Sequence, residues 1–257
     1  MHLTILGCSG SVPGPNAAAS GYLLEAENFL LVMDLGNGTL ASLQQHCDPF
    51  EIGALLFSHL HPDHCSDFSA LAVWRRYQSD PPYNPTEQPL PVYGPHEAPA
   101  RFAAMYAPSE SERLRTDLTD VFAFRPLDQG TFTVGPFQIT AVPVNHLGLE
   151  AYGFRVTDGD RTLAYTGDTG PCPELLELAD GVDVFLSEAT WPHSDESPGD
   201  VHLSALQAGA VAADAGARRL FLTHLAPLHD PDEAIREAES VFTGPLELVE
   251  QGKTYEI

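Results

Sequence analysis

Short apolar runs, rich in β-branched and aromatic residues and bounded by Gly, Asn, Asp or Pro, recur along the chain and read as strands. In the first half they are Leu3 to Leu6, Tyr22 to Glu25, Phe29 to Met33, Leu55 to Phe57 and Val92-Tyr93. The second half adds Thr131 to Val134, Phe137 to Val142, Ala151 to Val156, Thr162 to Tyr165, Val182 to Leu186, Leu220 to Leu222 and Leu246 to Val249. Helical spacing, opened in several cases by Asp, Ser or Pro where a first turn needs a cap or a preset φ, predicts helices over Asp67 to Tyr77, Pro99 to Tyr106, Pro173 to Ala179, Ser204 to Ala215 and Pro231 to Phe242. Strands and helices alternate, as in an α/β protein. The segment Ser79 to Pro95 carries Pro81, Pro82, Pro85, Pro89, Pro91 and Pro95, which excludes a helix or a central strand. It is expected to be a surface loop, either a connector or a lid.

The chain also echoes itself. Ala54-Leu-Leu-Phe-Ser-His59-Leu is matched by Arg219-Leu-Phe-Leu-Thr-His224-Leu, each an apolar strand ending in a hydroxyl residue and a histidine. Leu31-Val-Met-Asp34 and Leu163-Ala-Tyr-Thr-Gly-Asp168 each place an aspartate just past a buried strand. Two sheet-bearing halves packed face to face would bring those strand ends together.

Composition narrows the class. With 257 residues and 43% apolar side chains, residues 1–257 are expected to fold as one globular domain. Twelve Lys plus Arg face 36 Asp plus Glu, a formal charge of −24. Nucleic-acid affinity rests on basic side chains that neutralise phosphates, so duplex nucleic acid is not an expected partner. Cys8, Cys47, Cys65 and Cys172 are scattered without a Cys-x-x-Cys pair and read as free thiols. There is no leader-like pattern after Met1 and no apolar run of about 20 residues, so a cytoplasmic protein without a membrane partner is expected.

The chemistry concentrates in His59-Leu-His61-Pro-Asp63-His64, directly after a strand. In extended chain, residues two apart project to one side, so His59 and His61 can grip one ion while Asp63 and His64, past Pro62, reach a neighbour. Mixed imidazole and carboxylate ligands suit two divalent transition metal ions, zinc first and manganese or iron next.

The motif His-x-His-x-Asp-His resembles the signature of the metallo-β-lactamase superfamily, and the resemblance extends over nearly the whole chain. It implies an α/β fold, a four-layer αββα sandwich of two mixed sheets flanked by helices, with a dinuclear metal site at one edge. It further implies that His146 is the third histidine of the first metal, Asp168 the bridging carboxylate, and His224 the last ligand of the second. The resemblance also implies that Asp34 stands where an acidic residue holds a ligating imidazole in the right tautomer; the alternative is a loop-capping aspartate beside Gly36. Glu188-Ala-Thr190 and His202-Leu-Ser204 look like motifs of the ribonuclease Z-like phosphodiesterase branch, in which a glutamate orients a histidine that protonates the departing oxygen. Asp63 would double as ligand and proton acceptor from the attacking water.

Two departures bear on the substrate. Val12-Pro-Gly-Pro-Asn16-Ala17 lacks the basic residue of tRNA-processing members, and between His146 and Asp168 there is room for only one tight hairpin instead of a tRNA-gripping arm. A small phosphodiester is therefore the expected substrate. Leu6-Gly-Cys-Ser-Gly-Ser-Val-Pro-Gly-Pro15 and Val73-Trp-Arg-Arg-Tyr77 are similar to segments of actinobacterial hydrolases with cyclic-nucleotide phosphodiesterase activity, which points to 3′,5′-cyclic AMP. Trp74, Arg75, Arg76 and Tyr77 are then candidates for base stacking and phosphate binding; the competing reading is an amphipathic helix whose arginines are solvated or salt-bridged. The alternatives are a tRNA 3′-processing endonuclease, a thioesterase or lactonase of the same fold, and a metal-binding protein without catalysis. The resemblance also suggests a homodimer.

Overall fold

In the computed structural model, which describes residues 1–194, 196, 199 and 201–257, the strands form two seven-stranded sheets. The first half of the chain supplies β1 (His2–Gly7), β2 (Gly21–Ala26), β3 (Phe29–Met33), β4 (Ile52–Leu56), β5 (Leu90–Gly94) and β6 (Phe122–Pro126). The second supplies β7 (Gly130–Val134), β8 (Phe137–Pro143), β9 (Tyr152–Thr157), β10 (Thr162–Tyr165), β11 (Val184–Glu188), β12 (Leu220–Thr223) and β13 (Leu246–Leu248). Strand β14 (Thr254–Glu256) then returns to the first sheet and pairs antiparallel with β1. Within each sheet the strands lie in chain order, β14 apart.

The apolar pattern explains the four layers. Leu31 and Met33 of β3 face the second sheet, packing with Phe137, Ile139, Phe154, Val156 and Leu163 in the core between the sheets. Val32 between them faces the other way, toward helices, so the strand reads as continuously apolar because both its faces are covered. On that outer side lie α1 (Thr39–Leu43), α2 (Pro62–Cys65), α3 (Phe68–Tyr77) and α4 (Ala98–Tyr106), with Phe57, Phe68 and Phe102 packed together and the last two rings stacked at 3.9 Å. The exposed turn α5 (Glu110–Arg113) follows. Helices α6 (Glu174–Ala179), α7 (Ala205–Asp214) and α8 (Pro231–Glu239) cover the second sheet through small residues such as Ala205, Ala208, Ala212, Ala234 and Ala238, which let them approach closely.

Strand directions reveal how far the internal echo goes. Strands β1–β2–β3 pair antiparallel and β3–β4–β5–β6 parallel; β8–β9–β10 and β10–β11–β12–β13 repeat that order. Asp34 after β3 and Asp168 after β10 therefore occupy equivalent places. His59 follows β4 whereas His224 follows β12, so the equivalence expected of them is off by one strand.

The short strands β6 and β14 escape the hydrophobic pattern. The Pro-rich segment needs a larger correction, because its end forms β5, which lies between β4 and β6. Pro91 is tolerated there by register. The Leu90 amide faces β6, donating to Val121 O, so position 91 turns its missing donor toward β4, where pairing begins only at Val92 with Leu55.

Arg75 is also corrected. Its side chain is 1% exposed on α3, with Nε donating to Val121 O, Nη1 to the Tyr83 hydroxyl and Nη2 to Gln88 O. It clamps the Pro-rich loop and the entry to β6 onto α3, and its burial keeps it from a substrate phosphate. Arg76 is paired with Asp120, in line with the salt-bridged alternative.

Arg75→Met keeps the apolar stem but leaves these acceptors buried and unpaired, so a loss of about 2–5 kcal/mol of unfolding free energy is expected. Denaturant titration checks it, and an unchanged midpoint would contradict the clamp.

Candidate metal centre

The histidine-rich motif leaves β4 in extended chain through Ser58 to His61, and Pro62 then opens α2, which carries Asp63 and His64. Its backbone is pinned from the loop after β3: Leu35 N–H donates to His64 O and Ser20 N–H to Asp63 O. Gly36 allows that approach, since a Cβ there would lie 1.9 Å from Asp63 O. His146 follows β8, Asp168 follows β10 after a left-handed Gly167 (φ 59°), and His224 follows β12 with its own φ at 57°. Asp34 is likewise left-handed (φ 57°). For non-glycine residues such a conformation is a strain that tertiary contacts must hold, and it turns both side chains sharply at strand ends.

Seven side chains converge in two groups sharing one carboxylate. Donor atoms of His59, His61, His146 and Asp168 all lie within 4.8 Å of one another, and so do those of Asp63, His64, Asp168 and His224. His61 Nδ1 is 3.0 Å from both His59 Nε2 and His146 Nε2. One ring nitrogen offers one proton or one lone pair, so it cannot serve both as a hydrogen bond. Nitrogens about 2.0–2.1 Å from a tetrahedral zinc would stand about 3.3 Å apart. In the second group His64 Nε2 lies 3.3 Å from His224 Nε2 and 3.1 Å from Asp168 Oδ1. His224 Nε2 is 3.1 Å from Asp63 Oδ2. Asp168 turns Oδ2 toward His59 and Oδ1 toward His64 and His224, and buried Oδ1 has no hydrogen-bond partner among the described residues. An orphaned carboxylate oxygen among converging imidazoles fits a divalent cation.

The outer nitrogens explain why the inner ones are free. His64 Nδ1 donates to Asp34 Oδ2 at 2.8 Å. The Ser58 hydroxyl also donates to Asp34 Oδ2, so its oxygen is left to accept from His59 Nδ1 at 3.1 Å. Glu188 repeats the device. Its Oε2 accepts from the Thr190 hydroxyl, whose oxygen accepts from His224 Nδ1, both at 2.7 Å. His146 Nδ1 donates to Val201 O. His59, His64, His146 and His224 thereby keep their protons on Nδ1 and present Nε2 lone pairs to the cluster. Neither Ser58 nor Thr190 is recognisable as a relay in the sequence: Ser58 adjoins its histidine, but the hydroxyl residue beside His224 is Thr223, which bonds Tyr22 instead.

Electrostatics follow from burial and charge. Burial holds His59 well below the usual imidazole value and lowers His61 and His146, keeping them neutral ligands. Burial opposes charge on His64 too, but Asp168 and Asp34 outweigh it and raise that ring, so a cation bound at its Nε2 has to displace a proton there. Burial would raise the Asp63 carboxyl, yet His224 and His64 hold it well below the carboxylate range. Beside the cluster, His202 Nδ1 donates to Glu188 Oε1 at 3.0 Å. Burial would lower His202, but Glu188 and then Asp168 raise it, favouring the imidazolium. Its ring meets Trp191 edge-on at 5.1 Å.

Asp34, His59, His61, Asp63, His64, His146, Asp168, Glu188, His202 and His224 thus form one connected constellation. Trp74, Arg75, Arg76 and Tyr77 do not join it. They ride on α3, where Tyr77 bonds to Tyr106 and the two arginines make the contacts described above.

The β-lactamase superfamily domain matches residues 32–225. An uncharacterized protein of Mycobacterium tuberculosis is 44% identical over 265 residues, covering 100% of this chain and 92% of its own length. The probable metallo-hydrolase YhfI of Bacillus subtilis is 30% identical, with both chains covered in full. The crystal structure of YhfI superposes with a TM-score of 0.87, covering 100% of this chain and 99% of its own. The short form of human tRNase Z superposes at 0.77 with 22% identity, covering 100% and 99%; at that identity the likeness is one of fold.

Ser58→Ala and Thr190→Val should each weaken divalent-metal affinity about 10–100-fold, because the ligating imidazole loses its orienting acceptor, while Thr190→Ser should retain it. Competition with a chromophoric chelator reads this directly, and wild-type affinity in both variants would refute the relays.

Proposed function

Because the chain belongs to the metallo-β-lactamase superfamily and is a metallo-hydrolase of it, we propose that its converging donors hold two divalent transition ions, zinc first with manganese or iron as substitutes, and that it hydrolyses phosphodiester bonds of small nucleotides such as 3′,5′-cyclic AMP. When bound, divalent ions polarise phosphoryl oxygens and make water acidic enough to attack at neutral pH. Asp63, whose carboxyl is held well below the carboxylate range, would accept the proton of the attacking water. His202, held by Glu188 and charged by it, gives its Nε2 proton to the departing oxygen.

The Glu188–His202 pair carries the choice of substrate class. A ribose alkoxide is a poor leaving group that needs a proton, whereas a thiolate, with a thiol pKa of about 8.5, leaves without one, so a built proton donor favours phosphodiesters over thioesters. The segment between His146 and Asp168 is taken up by β9, β10 and the turn joining them, which leaves no arm for tRNA. The acidic balance of the chain points the same way.

Turnover of bis-p-nitrophenyl phosphate, cyclic AMP, a pre-tRNA and an acyl thioester by the zinc- or manganese-loaded protein tests the reading. Asp168→Ala is expected to abolish phosphodiester cleavage. His202→Ala should cut cyclic AMP turnover about 10²–10⁴-fold but touch the nitrophenyl ester far less, since nitrophenolate departs without a proton. Cleavage of pre-tRNA in preference to cyclic AMP, or activity on the thioester alone, would overturn it.

A further inference from the structure

A cavity of about 520 Å³ opens beside His61, roomy enough for a nucleoside-sized group. Leu60, Pro62, Pro95 and Leu149 give it apolar walls, and Arg101 of α4 lines it. Of the seven converging side chains only His61 borders it. Asp168, His224 and His202, the proposed proton donor to the departing oxygen, are not among the residues that line it. What it can hold is the part of the substrate that stays on phosphorus after cleavage.

Arg101 stands out by what it lacks. Of twelve basic side chains, only Arg101 and Arg125 form neither a side-chain hydrogen bond nor an ion pair among the described residues, and Arg125 is exposed on β6. Arg101 is half-buried in a chain with 36 carboxylates to choose from. Glu97, at the N-cap of that helix four residues before it, lines the same cavity without pairing to it. Glu150, the other carboxylate of the wall, is already engaged by the His96 ring and amide and by the Tyr152 hydroxyl. A half-buried guanidinium facing a cavity without a partner among the described residues is a fork of N–H donors able to take an anion. Its charge also reaches the turn under His61: burial pushes the Cys65 thiol up to about 12 and Arg101 works against that rise, while Cys65 Sγ itself bonds the Leu60 and His61 carbonyls.

We propose that Arg101 binds an anionic group on the retained part of the substrate, so that the enzyme prefers nucleotide phosphodiesters carrying a second phosphate. The proposal rests on phosphodiester cleavage at the metal centre and adds a charge preference: cyclic AMP, with its single phosphate, would be cleaved without the Arg101 contact.

The test compares two esters with the same reacting centre, the p-nitrophenyl ester of thymidine 5′-phosphate and the same ester bearing a 3′-phosphate. The metal-loaded enzyme should favour the 3′-phosphorylated ester in kcat/KM, chiefly through KM. Arg101→Ala should erase that preference, an expected loss of about 10–100-fold, and Arg101→Lys should restore part of it, because an ammonium keeps the charge without the fork. Arg125→Ala, which removes the same charge elsewhere, should leave the preference intact. Equal effects of Arg101→Ala on both esters, or no preference in the wild type, would overturn the proposal. Should neither ester be cleaved, the phosphodiester reading fails, and calorimetry on the same metal-loaded protein judges the cavity separately. Tighter binding of thymidine 3′,5′-bisphosphate than of thymidine 5′-phosphate, lost in Arg101→Ala, would sustain the anion site, and equal binding would end it.

Discussion

Two buried carboxylates, Asp34 and Glu188, orient four imidazoles of the site, His59, His64, His202 and His224, and the rest of the site depends on that orientation. Each accepts directly from one histidine, His64 or His202, and indirectly, through the hydroxyl of Ser58 or Thr190, from another, His59 or His224. A neutral imidazole has one proton and one lone pair, so fixing the first on Nδ1 aims the second inward. The relays cost two buried charges, offset by dense donation: Asp34 accepts from the Ser58 amide and hydroxyl, from Tyr165 and from His64. Such networks stabilise only when every member is satisfied, as these are.

The fold serves this orientation by bringing strand ends from two sheets to one edge. Asp34 and Asp168 hold equivalent places after β3 and β10, yet they have diverged, one holding histidines from behind and the other facing them. The left-handed turns at Asp34 and His224 keep both residues from continuing along their strands and direct them across the gap between the sheets. The surrounding hydrogen bonds hold these strained positions in place.

Much of this was legible in the sequence. The His59 to His64 motif is contiguous and follows a buried strand, and His146, Asp168 and His224 each close a strand, so pattern and family resemblance converge on them. Roles that depend on partners distant in the chain were not legible. Ser58 is an ordinary hydroxyl until Asp34 stands behind it, and Arg75 looks like any arginine of an amphipathic helix until three acceptors surround it. Pro91 misled for the opposite reason: the rule against proline in inner strands concerns a donor that the ladder needs, and register removed the need. Strand β14, three residues long, is visible only as the partner of β1.

The order in which the centre's residues occur along the chain has a consequence for biogenesis. The first four converging side chains lie within six residues of one another, but Asp168, the carboxylate shared by both groups, comes about a hundred residues later and the last imidazole at position 224. A chain emerging from the ribosome at about 5–20 residues per second therefore displays a cluster of metal-seeking histidines for several seconds before the second sheet can enclose it. During that interval any ion it captures is exchangeable and exposed. An ion that is to stay must also suit Asp168 and His224, which join the set only after β10 and β12 have formed.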